Sequence, residues 1–360
     1  MSTLKSVLTV LFLSVSIGLS AQIHDKSWRS ITDSKDENWF ATDEAATIAE
    51  NVLLYQRNIG GWPKNIQMQN LLSDIDKQKL LDLKSDAEEC TTDNGATTQE
   101  MLFLSKMYKK NPNEKYKIAF LKGLDYLLAA QYNNGGWPQF YPLMKGYYTH
   151  ITYNDDSMVN ILELFKEIKN KTNFYTISPS AEIINKIEIA FNKGIDCIIK
   201  TQYKQNGELT GWCAQHDEVT LQPAKARAYE LPSLSGKESA KITLLLMSIE
   251  SPSKEIIAAV EAATRWFEKT KISGIKLETV LTDEGKKNRI VVESPDAEPL
   301  WARFMELDTN KPFFCDRDGV KKATLAEIGF ERRNGYAWYT NEPKEVLKKF
   351  SSWKKRISNH

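Results

Sequence analysis

Asp93 and Asp155 each stand in a polar stretch just ahead of a segment with helical periodicity, in TTDNGATTQEMLFLSKMY and ITYNDDSMVNILELFKEI. Carboxylates on two such loops can supply hard oxygen ligands, which suit calcium. The same positions also suit helix caps, because Thr, Asp and Ser accept hydrogen bonds from the free N–H groups of a first turn. Spacing alone leaves both roles open. A denser stretch, WCAQHDEVTLQPAKARAYELPSLSG, holds His216, Asp217, Glu218, Lys225, Arg227 and Glu230. Pro223 and Pro232 keep it extended, and it is too polar for a buried strand. It reads equally as a charged surface loop or as part of a site, and His216 alone fits a structural imidazole better than a catalytic one. PLWARFMELDTNKPFFCDRDGV adds Arg303 and Arg317. Guanidinium forks match carboxylates through paired hydrogen bonds, so arginines in an aromatic setting fit either an acidic sugar or internal ion pairs.

The elements that must position these groups repeat. Trp62, Trp137 and Trp212 each follow a glycine and lie 75 residues apart, in GGWP, GGWP and TGWC. Leu124, Leu127, Leu128 and Tyr132 share one helical face ahead of the second tryptophan, and Ile195, Ile198, Ile199 and Tyr203 do so ahead of the third. The glycines are expected to end those helices, where a positive φ is needed. LPSLSGKESAKITLLLMSI is a third version of the polar lead-in. The unit is therefore helix, Gly-Trp loop, extended polar stretch and helix, used three times. Repeats of this length mean stacked or circular helical hairpins. An all-α fold follows, a closed α/α toroid whose long loops gather at one end as a cleft. The three tryptophans are expected to anchor their loops by packing rather than to serve as sugar platforms. Ile290–Val292 suggests a short strand, in an aromatic-rich region after Gly274 that packs as part of the same domain.

The chain has 48 Lys plus Arg against 47 Asp plus Glu, so bulk charge points to no polyanionic partner, and nucleic acid is not expected. Lys5, the apolar run from Val7 to Leu19 and the small residues ending at Ala21 describe a secretory signal peptide over residues 1–21. The run is too short to span a bilayer. Residues 22–360 then form one exported domain, periplasmic or extracellular, with no membrane insertion after cleavage and acting as a monomer. Export permits disulfides among Cys90, Cys197, Cys213 and Cys315, whose spacing matches no zinc site and leaves their pairing open.

NIGGWPKN, TTDNGATTQ, NNGGWPQFYPL, ITYNDDSM, GWCAQHDEVTLQPAKARAYELPSLSG, WARFMELDTNKPFFCDRDG and ERRNGYAWY, in that order from Asn58 to Tyr339, resemble the blocks of family 10 polysaccharide lyases, which are pectate lyases. The resemblance implies an (α/α)3 toroid, in agreement with the threefold repeat. It implies Ca2+ held by Asp93 and Asp155 together with substrate carboxylate. It makes Arg227 the Brønsted base and Arg317 a substrate-binding arginine, while Lys64, Lys225 and Arg303 are further candidates for binding the polygalacturonate substrate. Removal of the carbon-5 proton of a galacturonate builds charge on the adjacent carboxylate, which calcium stabilises as a Lewis acid. Loss of the glycosidic oxygen from carbon 4 leaves a 4,5-unsaturated uronide. An arginine base is demanding, since a pKa above 12 makes neutrality near pH 9 cost at least roughly 4 kcal/mol. An alkaline optimum follows.

Three other readings share parts of the pattern. KGLDYLLAAQYNNGGW fits the Q-x-x-x-G-x-W repeat of triterpene cyclases, whose DCTAE-like and DxDD-like acid motifs are missing here. A toroidal glycoside hydrolase would use Asp93 and Asp155 as its two carboxylates. A secreted glycan-binding protein would keep the cleft without catalysis, which the joint presence of Asp93, Asp155 and Arg227 argues against.

Overall fold

The computed structural model describes Ile23, residues 25–172 and residues 177–358. The expected signal peptide and its cleavage point lie outside the described residues. Among those residues are eleven α-helices, with strands confined to two-stranded sheets, so the mainly helical class holds. No described helix is long and apolar enough to cross a membrane. The chain divides into two compact units, each discontinuous in sequence.

Of the described residues, the first unit comprises those up to Ala130 together with Phe140–Pro142 and those between Leu164 and Glu188. It holds α1 (Trp28–Thr32), α2 (Asp43–Tyr55), α3 (Asp74–Asp82), α4 (Thr98–Lys110) and α5 (Glu114–Ala129). The starts of α2, α3 and α5 are set by Thr42, Ser73 and Asn113, whose side chains accept from first-turn N–H groups. α4 buries Met101, Phe103, Leu104 and Met107, a spacing that fills one helical face. Phe103 meets Trp28 and Phe40 at ring separations of 5.0 and 5.8 Å. Next in the chain come α6 (Ser157–Lys169) and α7 (Ala181–Thr201).

The second unit comprises Gln131–Gln139, Leu143–Glu163 and the chain from Ile189 onward. It contains α8 (Gly236–Met247), α9 (Lys254–Thr270), α10 (Phe330–Gly335) and α11 (Pro343–Ser358). Ile151–Thr152 pairs antiparallel with Gln215–His216, and Trp301–Ala302 with Tyr339–Thr340. The strand suggested at Ile290–Val292 is longer than expected: Lys287–Glu293 pairs along its whole length with Ile275–Leu281. The aromatic-rich region forms a second core of Tyr229, Phe304, Phe313, Phe314, Tyr336 and Trp338 with Leu325 and Ile328.

The threefold repeat is built from hydrogen bonds as well as packing. Trp62, Trp137 and Trp212 are fully buried, as anchors must be. The Trp62 and Trp212 indoles donate to the carbonyls of Val52 and Ile198, both at 2.8 Å. Each tryptophan carbonyl in turn accepts from the polar stretch that follows: Thr91 N at 3.2 Å, Thr152 N at 3.0 Å and Ser235 N at 2.8 Å. Gln56, Gln131 and Gln202 form a further set. The Nε2 of each donates to its own loop (Gly60, Gly135 and Thr210 carbonyls) and to a later helical segment (Ala119, Ala190 and Ala259 carbonyls).

The glycines play a different part from the one expected. α2 and α5 end at Tyr55 and Ala129, several residues before Gly60 and Gly135. Those two glycines do take positive φ, at 106° and 94°. A Cβ there would stand 2.1 Å from Lys122 O and 2.0 Å from Lys193 O respectively, so they permit the close approach of a neighbouring helix backbone.

Candidate active site

In the first unit, the backbone bond to Trp62 fixes the stretch that carries Asp93. Asp93 opens a single 3-10 turn, Asp93–Gly95, in which Asn94 adopts φ 53°. Asp93 is 4% exposed, and its Oδ2 accepts from Lys64 Nζ at 2.5 Å. Lys64 also lies over the Phe140 ring, 5.2 Å from its centroid. The structure therefore joins two of the residues singled out from sequence, Lys64 and Asp93, in one ion pair.

In the second unit, the bond from Thr152 N to the Trp137 carbonyl places the equivalent turn. Asp155 and Asp156 have φ 51° and 63°, in a left-handed region that aspartate enters more readily than most residues but that costs roughly 1–3 kcal/mol. Asp155 Oδ1 accepts from Lys237 Nζ at 2.8 Å and from Arg303 Nη2 at 3.3 Å, while Oδ2 accepts from Asn154 Nδ2 at 2.7 Å. Burial works against the charge on Asp155, yet Arg303 and Lys237 hold its pKa down at about 2. It is an anion at any working pH.

Lys237 comes from the third repeat. The Ser235 N bond to Trp212 O starts α8, so Lys237 and Glu238 fall in its first turn. A cation there opposes the helix dipole. Asp155, together with Glu238 at 3.8 Å, offsets that. Gly236 is required because a Cβ would meet Ala302 O at 2.8 Å, beside Arg303. Arg303 is almost wholly buried and donates to Asn154 Oδ1 at 2.8 Å and to Glu238 Oε1 at 3.0 Å. Desolvation disfavours its charge, but Glu238, Tyr336 and Asp155 more than restore it.

Arg227 continues this array. Its Nε and Nη2 donate to Glu230 Oε2 and Oε1 at 2.7 and 2.5 Å, and Tyr336 OH donates to the same Oε1 at 2.9 Å. The Tyr336 ring lies beneath Arg303, with 4.5 Å between guanidinium carbon and ring centroid. Asp155, Arg303, Tyr336, Glu230 and Arg227 are thus linked contact by contact within one unit. On its other side Arg227 lies 4.9 Å from the Tyr229 ring centroid, and Arg332 lies 4.7 Å from the same centroid. Arg332 pairs with Glu331, which also binds Arg317 at 3.1 and 3.2 Å. Arg317 and Lys225 are exposed.

His216 is a structural histidine. It is fully buried, its Nδ1 lies 2.9 Å from the Leu221 carbonyl, and Nε2 accepts from Cys213 N at 3.2 Å. Burial lowers its pKa to about 4. His150, Asp217 and Glu218 bring ligand-type atoms within 4.8 Å of one another. Local partners already use them: His150 Nδ1 lies 3.0 Å from Glu218 Oε2, and Asp217 Oδ1 accepts from Val219 N and Thr220 N. All four cysteines are buried free thiols.

Residues 56–347 match the pectic acid lyase family. The chain belongs to that family. A family 10 polysaccharide lyase from Cellvibrio cellulosa is 37% identical at a TM-score of 0.77, covering 89% of this chain and 98% of that one. An aspartate-to-alanine mutant of family 10 polysaccharide lyase from the same organism, in complex with trigalacturonic acid, is 38% identical at a TM-score of 0.76, covering 88% and 96%. No curated protein matches the chain. The protein is accordingly a polysaccharide lyase, and its likeness to these structures is consistent with the helical toroid expected from sequence.

For this pectic acid lyase the donor chemistry at Asp93 and Asp155 fits calcium: both are carboxylates, and Asp155 is held ionised. Each carries a lysine in this structure, Lys64 or Lys237. Lys237, Glu238 and Tyr336 were absent from the residues picked out by sequence. The first two were within reach, because LPSLSGKES stands in the repeat where TTDNGA and ITYNDD carry the aspartates. Tyr336 had no such signal.

Proposed function

We propose that the protein is an exported, monomeric pectate lyase, a single catalytic domain over residues 22–360, that cleaves de-esterified polygalacturonate by calcium-assisted β-elimination. The observation that carries this reading is the array from Asp155 through Arg303, Tyr336 and Glu230 to Arg227. It sets a permanent anion and an arginine of the resembling family's base position on one connected frame. The trigalacturonic acid held by a family 10 relative supports the substrate class.

Asp93 and Asp155 are the proposed calcium ligands, and calcium when bound supplies Lewis-acid stabilisation of the charge that develops on the uronate carboxylate. Arg227, neutral at the moment of reaction, takes the proton from carbon 5. The electron pair moves toward the carboxylate and then expels the glycosidic oxygen from carbon 4, giving a 4,5-unsaturated oligogalacturonide. Arg303 is too enclosed by Asn154, Asp155 and Glu238 to reach far, so its part is to fix the Asp155 carboxylate. Lys64, Lys225 and Arg317 remain the proposed contacts for other uronate carboxylates of the chain. Glu230 holds Arg227 charged and drives its pKa upward, which calls for alkaline conditions.

Polygalacturonate with calcium should give rising ultraviolet absorbance from unsaturated uronides, abolished by EDTA and by Arg227→Ala. Reducing ends without that chromophore would mean a hydrolase. Retention on a pectate gel without product would mean a binding protein.

A further inference from the structure

The Arg227–Glu230 contact is more closely built than an ordinary ion pair. Glu230 Oε2 accepts twice from Arg227, from the backbone N at 3.1 Å and from Nε at 2.7 Å, while Oε1 takes Nη2 at 2.5 Å. The backbone closes the same turn, with Glu230 N donating to Arg227 O at 2.9 Å and Ala226 N to Glu230 O at 3.0 Å. The Glu230 side chain is 10% exposed, whereas that of Arg227 is 44% exposed. One edge of the guanidinium is therefore fixed to a buried anion, and Nη1 lies outside that clamp. Tyr336 holds the anion from the far side, and Tyr336 is itself held by Arg289, which donates to its carbonyl at 2.9 Å, and by stacking on Phe304 at 5.9 Å.

We infer that Glu230 is the positioning residue of the base: it presents Arg227 Nη1 to the substrate and stabilises the guanidinium that forms as the carbon-5 proton arrives. The inference rests on the reading of Arg227 as base. In the step, the carbon-5–hydrogen bond breaks and an N–H bond forms on Arg227. The electron pair passes into the uronate and then to the departing glycosidic oxygen, which takes a proton from solvent water. Arg227 returns its proton to solvent before the next turnover. A carboxylate orienting a base in this way makes the base stronger once neutral but rarer in its neutral form. Glu230 thus trades availability at neutral pH for strength at alkaline pH, and the two effects have separate readouts.

The test is the pH dependence of kcat and KM for unsaturated-uronide release from polygalacturonate at saturating calcium. Glu230→Gln should lower the alkaline plateau of kcat by about a hundredfold, in keeping with loss of an oriented acid–base group, and move the rising limb toward lower pH with KM little changed. Glu230→Asp should keep the wild-type limb and recover part of the rate. Tyr336→Phe, which leaves the carboxylate more basic, should move the limb slightly upward, opposite in sign to Glu230→Gln. Circular dichroism and pectate retardation would show whether each variant is folded. Wild-type limb positions in Glu230→Gln and Tyr336→Phe alike would overturn the inference, as would a Glu230→Gln plateau within about threefold of wild type. Activity persisting in Arg227→Ala would instead remove the base reading itself, whatever Glu230 does.

Discussion

Lys237 Nζ lies 2.8 Å from Asp155 Oδ1, one of the two oxygens of the carboxylate proposed to hold calcium. Its place in the first turn of α8 makes it costly on helix-dipole grounds, and Asp155 and Glu238 together offset that cost. A calcium ion reaching Asp155 must compete with this ammonium. Lys237→Gln should therefore bind calcium more tightly than wild type, by about tenfold or more if the pair contributes roughly 1.4 kcal/mol. Calorimetric titration of calcium into the substrate-free protein reads this directly. Unchanged or weaker binding would show that Lys237 and calcium do not compete for Asp155.

The tryptophan anchors link stability to the site. Trp137 is fully buried, and its carbonyl receives Thr152 N three residues before Asp155. Trp137→Ala should cost about 3–5 kcal/mol, as other large-to-small core changes do, and it should also loosen the Asp155 turn. Urea unfolding measures the first effect, and the calcium dependence of activity the second. Gln202→Ala should cost less, about 1–3 kcal/mol, by leaving the Thr210 and Ala259 carbonyls without their shared donor.

The parts of this fold that repeat were legible in the chain. Trp62, Trp137 and Trp212 announced three equivalent loops, and the polar stretches after them announced where side chains would be presented. Burial of all three indoles follows from that pattern. Gln56, Gln131 and Gln202 belong to the same repeat, and the Q-x-x-x-G-x-W pattern marks the position at Gln131, but the role was not legible, because the second acceptor of each glutamine lies on a helix 57 to 63 residues further on. The arginines were harder. Arg303 and Arg317 look alike in sequence, yet one is buried against Asn154, Asp155 and Glu238 and the other is exposed beside Glu331. The pairing of Arg303 depends on a contact 149 residues away in the chain, which no local pattern encodes.

His216 gives the protein an acid-labile point. Its pKa falls from 6.5 in an unstructured chain to about 4, chiefly through burial, so the unfolded chain binds the proton first. The stability gained from the neutral buried imidazole is complete above pH 6.5 and is lost as pH falls toward 4, amounting to about 3 kcal/mol over that window. Asp155 does not titrate in this range, since its pKa is held at about 2. Buried Glu100, whose carboxyl desolvation pushes up to about 7, works in the opposite sense over nearly the same window, so the readout is the difference between proteins. Denaturant unfolding at a series of pH values should show wild type losing about 3 kcal/mol more than His216→Gln between pH 6.5 and 4, even though that variant is less stable at neutral pH. An equal slope in both proteins would assign the acid sensitivity elsewhere.

Arg317 separates a fold role from a substrate role. Its bonds to Glu331, at 3.1 and 3.2 Å, join two side chains that are 66% and 59% exposed. Exposed pairs contribute about 0–1 kcal/mol, so Arg317→Ala should leave the unfolding midpoint nearly unchanged. If Arg317 binds a uronate carboxylate, the same change should raise KM for polygalacturonate several-fold, with kcat and the pH–rate limb kept. Arg332, pinned over Tyr229 and bound to the same Glu331, gives the internal comparison, because it lies nearer Arg227 and is more buried. Steady-state kinetics on both variants decide the matter. A KM unchanged in Arg317→Ala but raised in Arg332→Ala would move the carboxylate contact inward, to the arginine that shares the Tyr229 ring with Arg227, the proposed base.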